Sequence, residues 1–205
     1  MHLRAPAIIL SIRQHGENNT VVRALTAEAG MLAGYVRGGR SRMLRPVLQP
    51  ANEVVGEWRA RTEDQLAALT VELSRSRAPL FAEPLAAAAL EWVTALTAVA
   101  LPEGQPYPRL YAALDGTIGA IEAAPAARGW AVALVRYETL LLAELGYGLE
   151  AEAIPQLDSA SGWPDILTGL AATGAEIERH LLTDRRAETL AARGRLVERL
   201  KRAVA

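Results

Sequence analysis

The period of the apolar residues changes once along this chain, near Pro79, and that change constrains the fold more than any single motif does. Before Pro79 apolar residues recur at every second position between turn signals, and after it at every third or fourth position. A period of two is typical of half-buried strands and a period of 3.6 of amphipathic helices. The sequence therefore predicts an α+β chain, with a strand-rich domain at 1–78 and an α-helical domain at 79–205.

Five short strands are predicted in the first domain, at about 8–12, 20–26, 30–36, 54–59 and 69–73. The turn at 16–19 separates the first two strands, and Pro46 and Pro50 interrupt the connection to the fourth. Five strands in so short a stretch fit a small closed β-barrel such as the OB-fold, because closure removes the sheet edges that invite aggregation.

The second domain is predicted to consist of helices at about 85–99, 108–121, 126–145 and 184–204, with shorter helices around 165–182 and a loop at 148–164. Trp130, Leu134, Tyr137, Leu141 and Leu145 share one stripe of the third helix, so the aromatic side chains there are expected in the core. Gly146 is expected to end the third helix as a C-terminal cap.

Charge is distributed unevenly along the 205 residues. Residues 1–60 hold eight arginines against four glutamates, a net +4, and residues 61–182 hold seven arginines against sixteen acids, a net −9. Residues 183–205 hold seven basic residues against three acidic ones, again a net +4. Such a charge distribution, with two basic ends around an acidic middle, indicates which charged partners the chain attracts rather than how it folds.

Several function classes are disfavoured by composition. The chain has no cysteine, and its three histidines lack metal-ligand spacing, so we expect no metal and no cofactor. No apolar run reaches the ~18 residues of a membrane span, and the N-terminus lacks the pattern of a signal peptide. These features predict a soluble, cytoplasmic protein that does not enter a membrane.

The strongest motif is a turn after the third predicted strand, where Arg37, Arg40, Arg42 and Arg45 fall within nine positions beside Gly38 and Gly39. A guanidinium group is permanently charged and can fork onto phosphate oxygens, and glycine lets the backbone approach a ligand. This turn is therefore a candidate DNA-binding loop, with Arg13 and Arg23 as neighbours on strands. The alternative is a solvated basic turn, since basic runs of this kind are weak signals.

An ordered set of motifs resembles the bacterial DNA repair protein RecO family. Thr26 to Gly30, the segment Val36-Arg37-Gly38-Gly39-Arg40-Ser41-Arg42 and Leu48-Gln49-Pro50 are similar to the N-terminal part of that family. The segment from Arg136 to Gly148 and the helix from Thr173 to His180 resemble its helical part. The resemblance covers most of the chain in the same order.

The resemblance implies a non-catalytic recombination mediator of the RecF pathway. Such a protein binds single-stranded and double-stranded DNA, anneals complementary strands, and works with RecR and single-stranded-DNA-binding protein to load RecA. It also implies an N-terminal OB-fold on a helical domain, and a cytoplasmic protein associated with the nucleoid.

Two departures from the family pattern bear on the site. Many family members carry a four-cysteine zinc site after Leu-Gly-Tyr, whereas 148–163 holds no cysteine here and is shorter, so zinc is not carried over. The residue before Arg136, often basic in relatives and associated with docking the tail of single-stranded-DNA-binding protein, is Val135. Arg136 itself remains a candidate for that docking, because it could meet a carboxylate.

A second DNA contact is suggested by the last helix, where Arg195, Arg199 and Arg202 share one face. Basic residues near a helix C-terminus also favour the helix dipole, which is the alternative explanation.

Two function classes stay open on the residues alone. The first is the DNA-binding and annealing protein, and the second is a protein-interaction adaptor with incidental DNA affinity. A steep salt dependence of DNA binding would distinguish the first from the second. An enzyme is disfavoured, because no histidine is placed to activate Ser41 and no phosphate-binding or dinucleotide fingerprint appears.

Overall fold

The computed structural model of the chain describes residues 2–62, 65–124, 126–148, 157–182 and 187–204. Contacts divide the chain into two compact units. The first, here the barrel unit, comprises 1–83 and 94–111, and the second, the helical unit, comprises 84–93 and 112–205. The predicted boundary between residues 78 and 79 stays a prediction.

The barrel unit contains five strands, as predicted: β1 (His2–His15), β2 (Asn19–Thr26), β3 (Gly30–Val36), β4 (Glu53–Arg59) and β5 (Ala68–Arg75). They form a closed barrel in the order β1-β2-β3-β5-β4, and one parallel pair, Tyr35 with Ala68, joins β3 to β5. β1 is longer than predicted. Its first half pairs with β4 and its second half with β2, which gives its N-terminal residues a partner strand that the local pattern did not reveal.

The barrel core confirms the alternation that predicted the strands. Its buried side chains include Ile9, Val22, Val36, Val54 and Leu69. Trp58 is fully buried among them, and Gly56 makes room for its indole, since a Cβ on Gly56 would lie 2.4 Å from the ring.

The helices are a short 3-10 turn (Ala78–Ala82), α1 (Pro84–Ala100), α2 (Pro108–Ala123), α3 (Arg128–Glu144), α4 (Trp163–His180) and α5 (Ala187–Val204). The prediction of shorter helices around 165–182 is wrong, because α4 is continuous. Two glycines there weaken the helical signal, yet they let other side chains pack closely: a Cβ on Gly169 would lie 2.9 Å from Val135. The predicted start of the last helix at Asp184 lies outside the described residues.

The helical core confirms the expected burial of the aromatic residues on α3. Trp130 and Tyr137 are buried together with Leu134 and Leu141, whereas Leu145 follows the end of the helix and is half-buried. The helix ends as predicted, because Gly146 takes a φ of 84° and the N–H groups of Gly146 and Tyr147 donate to Ala143 and Leu142 carbonyls. In the described parts of the chain, no helix has the length and apolarity needed to cross a membrane.

A buried polar cluster joins four helices of the helical unit around Glu138 of α3. Its carboxylate is fully buried and accepts a 2.6 Å hydrogen bond from Trp92 Nε1 and a short one from Thr173 Oγ1. Arg193 of α5 completes the cluster, with Nη2 3.3 Å from Glu138 Oε2 and its guanidinium 5.6 Å from the centre of the Trp92 ring. Burial of this carboxylate is compensated by hydrogen bonds and an opposite charge.

Candidate nucleic-acid interface

The arginine-rich turn, residues 37–45 and here called the arginine loop, is fixed to the turn between β1 and β2. The N–H of Gly38 donates to Asn19 Oδ1 at 3.0 Å, and the N–H of Arg40 donates to the Asn18 carbonyl at 3.2 Å. Further along the same connection, Leu48 is buried in the barrel core. The loop therefore presents its side chains from an anchored backbone.

The glycines and the serine of the loop have structural roles. Gly38 has a φ of 67°, a conformation that other residues rarely adopt. Gly39 is buried, and a Cβ there would lie 2.1 Å from Thr20 Oγ1. Ser41 Oγ accepts a hydrogen bond from the N–H of Leu44 at 3.2 Å, so this hydroxyl caps a turn. These contacts account for the motif without a ligand at the glycines or a nucleophile at Ser41.

The charges of the arginine loop are left uncompensated by the described residues. Arg37, Arg42 and Arg45 are exposed, and they form no ion pair within the described ranges. Arg40 donates Nη1 to the Glu17 carbonyl at 3.0 Å, a neutral acceptor that leaves its charge in place. Four cations on one anchored loop are suited to an anionic surface with repeated charges.

The two predicted neighbours of the loop differ. Arg13 of β1 is exposed and outside every ion pair among the described residues. Arg23 of β2 instead donates to Glu103 Oε1 at 2.8 Å and to the Ala98 carbonyl at 2.8 Å. Arg23 already has a charged partner, so Arg13 is the better candidate for a phosphate contact.

Sheet register places an outward-facing row beside the arginine loop. Directly paired residues on neighbouring strands share a face of the sheet. Successive pairings join Arg13, Val21, Tyr35, Ala68 and Arg59 in that order. Tyr35 stands at the centre of the row, and the row spans about 19 Å at a strand spacing of about 4.8 Å.

Arg59, Arg61 and Tyr35 lie near this site although no sequence motif marked them as part of it. Trp58, the other aromatic residue of the predicted strands, is fully buried, so Tyr35 is the one of the two that reaches the surface. Alternation in β4 already indicated opposite directions for Trp58 and Arg59. The pairing of β3 with β5, on which the row depends, has no local signal in the sequence.

Arg59 is held by a neighbouring carboxylate. Its Nη2 lies 2.6 Å from Glu57 Oε1, and His2 Nε2 lies 2.7 Å from the same oxygen. Hydrogen bonds from His2 first and Arg59 second hold the pKa of Glu57 below its ordinary value of 4.5. Glu57 therefore stays ionised and competes with an external anion for Arg59.

The three arginines of the predicted second contact on α5 differ in their partners. Arg195 Nη2 lies 3.7 Å from Glu91 Oε2, and Arg199 donates to the Pro84 carbonyl, a neutral acceptor like that of Arg40. Arg202 is exposed and forms no ion pair among the described residues. Of the three, Arg195 alone has an acidic partner among the described residues, and the second DNA contact stays a prediction.

Arg136 is also bonded within the helical unit. Its Nη2 donates to the Leu157 carbonyl at 2.5 Å, and Val135 beside it is buried, so that position offers no side chain to a partner. Partner-tail docking at Arg136 stays a prediction.

The segment where relatives carry zinc is described only in part, because 149–156 lie outside the described residues. Asp158 accepts hydrogen bonds from the Ser161 hydroxyl and the Ala160 N–H, which lower its pKa. Within the described ranges no three His, Cys, Asp or Glu side chains come together as a metal site.

Two family models match the chain. "Recombination protein O N terminal" matches residues 1–77, and "Recombination protein O C terminal" matches residues 82–153. The two matches follow each other along the chain and cover the barrel strands and α1 to α3.

Curated relatives match over most of the chain. A protein named DNA repair protein RecO from Rhodospirillum centenum is 37% identical over 238 residues, covering 96% of this chain and 94% of the relative. A protein of the same name from Jannaschia sp. is 34% identical over 243 residues, covering 100% of this chain and 98% of the relative. Both alignments are longer than the 205-residue chain, so they include residues that the chain lacks.

Proposed function

The chain belongs to the RecO family of DNA repair proteins, and from that premise we propose that it is a non-catalytic recombination mediator that binds DNA through the arginine loop. It binds single-stranded and double-stranded DNA, anneals complementary strands, and acts with RecR and single-stranded-DNA-binding protein to load RecA. The observation that carries the proposal is the set of four uncompensated guanidinium groups at Arg37, Arg40, Arg42 and Arg45.

Annealing requires charge neutralisation rather than bond chemistry. Two strands repel each other through their phosphates, and a basic surface lowers that repulsion while leaving base edges free to pair. The arginine loop, with Arg13 on the neighbouring strand, provides cations on an anchored backbone and does not read bases. Arg23 is left out of the proposed contact, because Glu103 already neutralises it.

An annealing assay tests this function. Two complementary oligonucleotides, one carrying a donor and the other an acceptor fluorophore, are mixed with the full chain at several salt concentrations. We expect the chain to accelerate pairing at low salt, and we expect the change of all four loop arginines to alanine to abolish that acceleration.

The adaptor function makes the opposite prediction. A protein that mainly holds other proteins would leave the annealing rate unchanged at every salt concentration, and its DNA affinity would hardly depend on salt. The proposal would also be contradicted if the variant without the four arginines still accelerated pairing, because the acceleration would then come from another surface.

A further inference from the structure

A cavity of about 530 Å³ lies beside the end of β3. Among the described residues that line it are Tyr35, Arg59, Arg61, Gln65 and Leu66. Small-ligand sites commonly measure ~300–1,000 Å³, so the cavity has room for a ligand of nucleotide size. It opens beside the outward-facing row described above, at Tyr35.

Tyr35 is held in place on two sides. Its N–H donates to the Ala67 carbonyl at 2.8 Å, and His15 of β1 packs edge-on against its ring, with centroids 5.7 Å apart. Ala68, its partner across the β3–β5 pair, is too small to cover the ring. The ring is thus a fixed, half-exposed aromatic surface on the wall of the cavity.

The remaining lining matches the parts of a nucleotide. Leu66 is 45% exposed and offers a second apolar surface. Gln65 carries both donors and an acceptor for a base edge, and Arg61 carries a cation for a phosphate. Arg61 forms no ion pair with a described residue, whereas Arg59 is held by Glu57, so Arg61 is the phosphate contact of the two.

We propose that this cavity binds one unpaired base of single-stranded DNA, with Tyr35 stacking on the base and Arg61 contacting its phosphate. The inference rests on the proposed function and adds to it, because the arginine loop meets phosphates of any strand while the cavity takes a base that is free of its partner. A base in a duplex is stacked and paired, and its faces and pairing edge are hidden. The cavity therefore gives the protein a preference for single strands that charge alone does not supply.

The test compares one fluorescently labelled 20-nucleotide strand, alone and paired with its complement, by anisotropy on the full chain. Tyr35→Leu keeps the apolar bulk and removes the aromatic face. We expect this variant to bind the single strand about tenfold more weakly and the duplex within twofold of the original, since one base stack contributes about that factor. Tyr35→Phe, the matched control, should retain both affinities.

Arg61→Gln should weaken binding of the single strand. It should also reduce the slope of log affinity against log salt by about 0.7, the value for one lost phosphate contact. A third readout needs no variant. A strand with 5-iodouracil replacing thymine is bound to the unaltered chain and irradiated, and the cross-linked residue is identified by mass spectrometry. We expect the cross-link to form at Tyr35.

The thermal midpoint shows whether Tyr35→Leu is folded. The proposal is overturned if the folded variant has an unchanged affinity for the single strand, or if it binds the single strand and the duplex more weakly by the same factor. A cross-link that maps elsewhere overturns it as well, even if Tyr35→Leu does not fold. The proposed function is tested separately by variants of the loop arginines. If removal of the loop arginines still flattens the salt slope of binding to single-stranded and double-stranded DNA, only the cavity proposal is wrong. If their removal leaves the slope unchanged, the proposed DNA-binding function is wrong as well.

Discussion

The arginine loop and helix α5 lie in two regions with the same net charge in the sequence, +4 in each case, but their arginines are in different states. In the loop, no described residue neutralises the four guanidinium groups. In α5, Arg193 is paired with buried Glu138 and Arg195 lies 3.7 Å from Glu91, whereas Arg199, like Arg40 of the loop, has a neutral backbone carbonyl as its partner. The difference teaches that a charge count locates candidate sites, whereas the partners of each charge decide which of them can bind a polyanion.

The largest effect is expected where an arginine is most completely engaged. Glu138→Ala removes the carboxylate opposite Arg193 and leaves this largely buried cation with the Leu170 carbonyl and the Trp92 ring as neighbours, neither of which is charged. Breaking a buried pair in this way typically costs about 3–5 kcal/mol. We expect a loss of that size in the free energy of unfolding, measured by urea denaturation.

Glu178→Ala, at an exposed position of α4, is the matched control and should change stability by less than about 0.5 kcal/mol. Equal stabilities for the two variants would mean that Glu138 does not stabilise the Arg193 guanidinium, and the contrast between the arginine loop and α5 would lose its main support.

The next effect tests how the arginine loop is held. A Cβ on Gly39 would overlap Thr20 Oγ1, so Gly39→Ala should cost about 1–3 kcal/mol by overpacking. Thr20→Ala removes the atoms in the way, and the double variant should recover most of that loss. The free energies of unfolding of the two single variants and the double variant measure the coupling, and simple additivity would show that this contact does not hold the loop.

A smaller effect is expected from α5. Changing Arg195, Arg199 and Arg202 to glutamine removes one cation paired with Glu91, one held against the Pro84 carbonyl and one without an ion pair among the described residues. Affinity for double-stranded DNA should fall by no more than about threefold, with helicity by circular dichroism unchanged. A loss of tenfold or more would restore the second DNA contact that the sequence suggested.

The smallest effect concerns Arg59, the engaged arginine at the edge of the proposed DNA surface. Hydrogen bonds from His2 and Arg59 lower the pKa of Glu57 in the folded chain. The ionised carboxylate therefore stabilises the folded chain fully at pH values above its ordinary pKa of 4.5, and this contribution is lost as the pH falls through the lowered pKa. The stability difference between the original chain and Glu57→Gln, from urea denaturation at pH 7 and pH 3.5, should be small and should shrink at the lower pH. A difference that grows at pH 3.5 would contradict this sign.

The local pattern predicted most of the elements and little of the site's geometry. Strand alternation correctly located the five strands, because burial of residues such as Trp58 and Val22 on one face leaves a period of two. It missed the first half of β1, whose partner β4 is distant in sequence, and it divided α4, because Gly169 and Gly174 weaken a helical signal that packing later supports.

Site prediction had the same limit. The four loop arginines are adjacent in sequence and could be recognised together, whereas Tyr35, Gln65 and Arg61 meet through the β3–β5 pairing and the β4–β5 connection. Which arginines are engaged also depends on distant partners, as with Arg23 and Glu103. Arg23 was predicted to be available because no acidic residue lies beside it in the chain.

The central claim, that the uncompensated arginines of the loop hold DNA phosphates, is tested most directly by a salt titration of single-strand binding. Each lost phosphate contact reduces the slope of log affinity against log salt by about 0.7. Arg37, Arg40 and Arg42 changed together to alanine should flatten the slope by about two units, the same three changed to lysine should keep it, and the α5 triple variant should change it by less than one unit. An unaltered slope in the folded alanine variant would contradict the account.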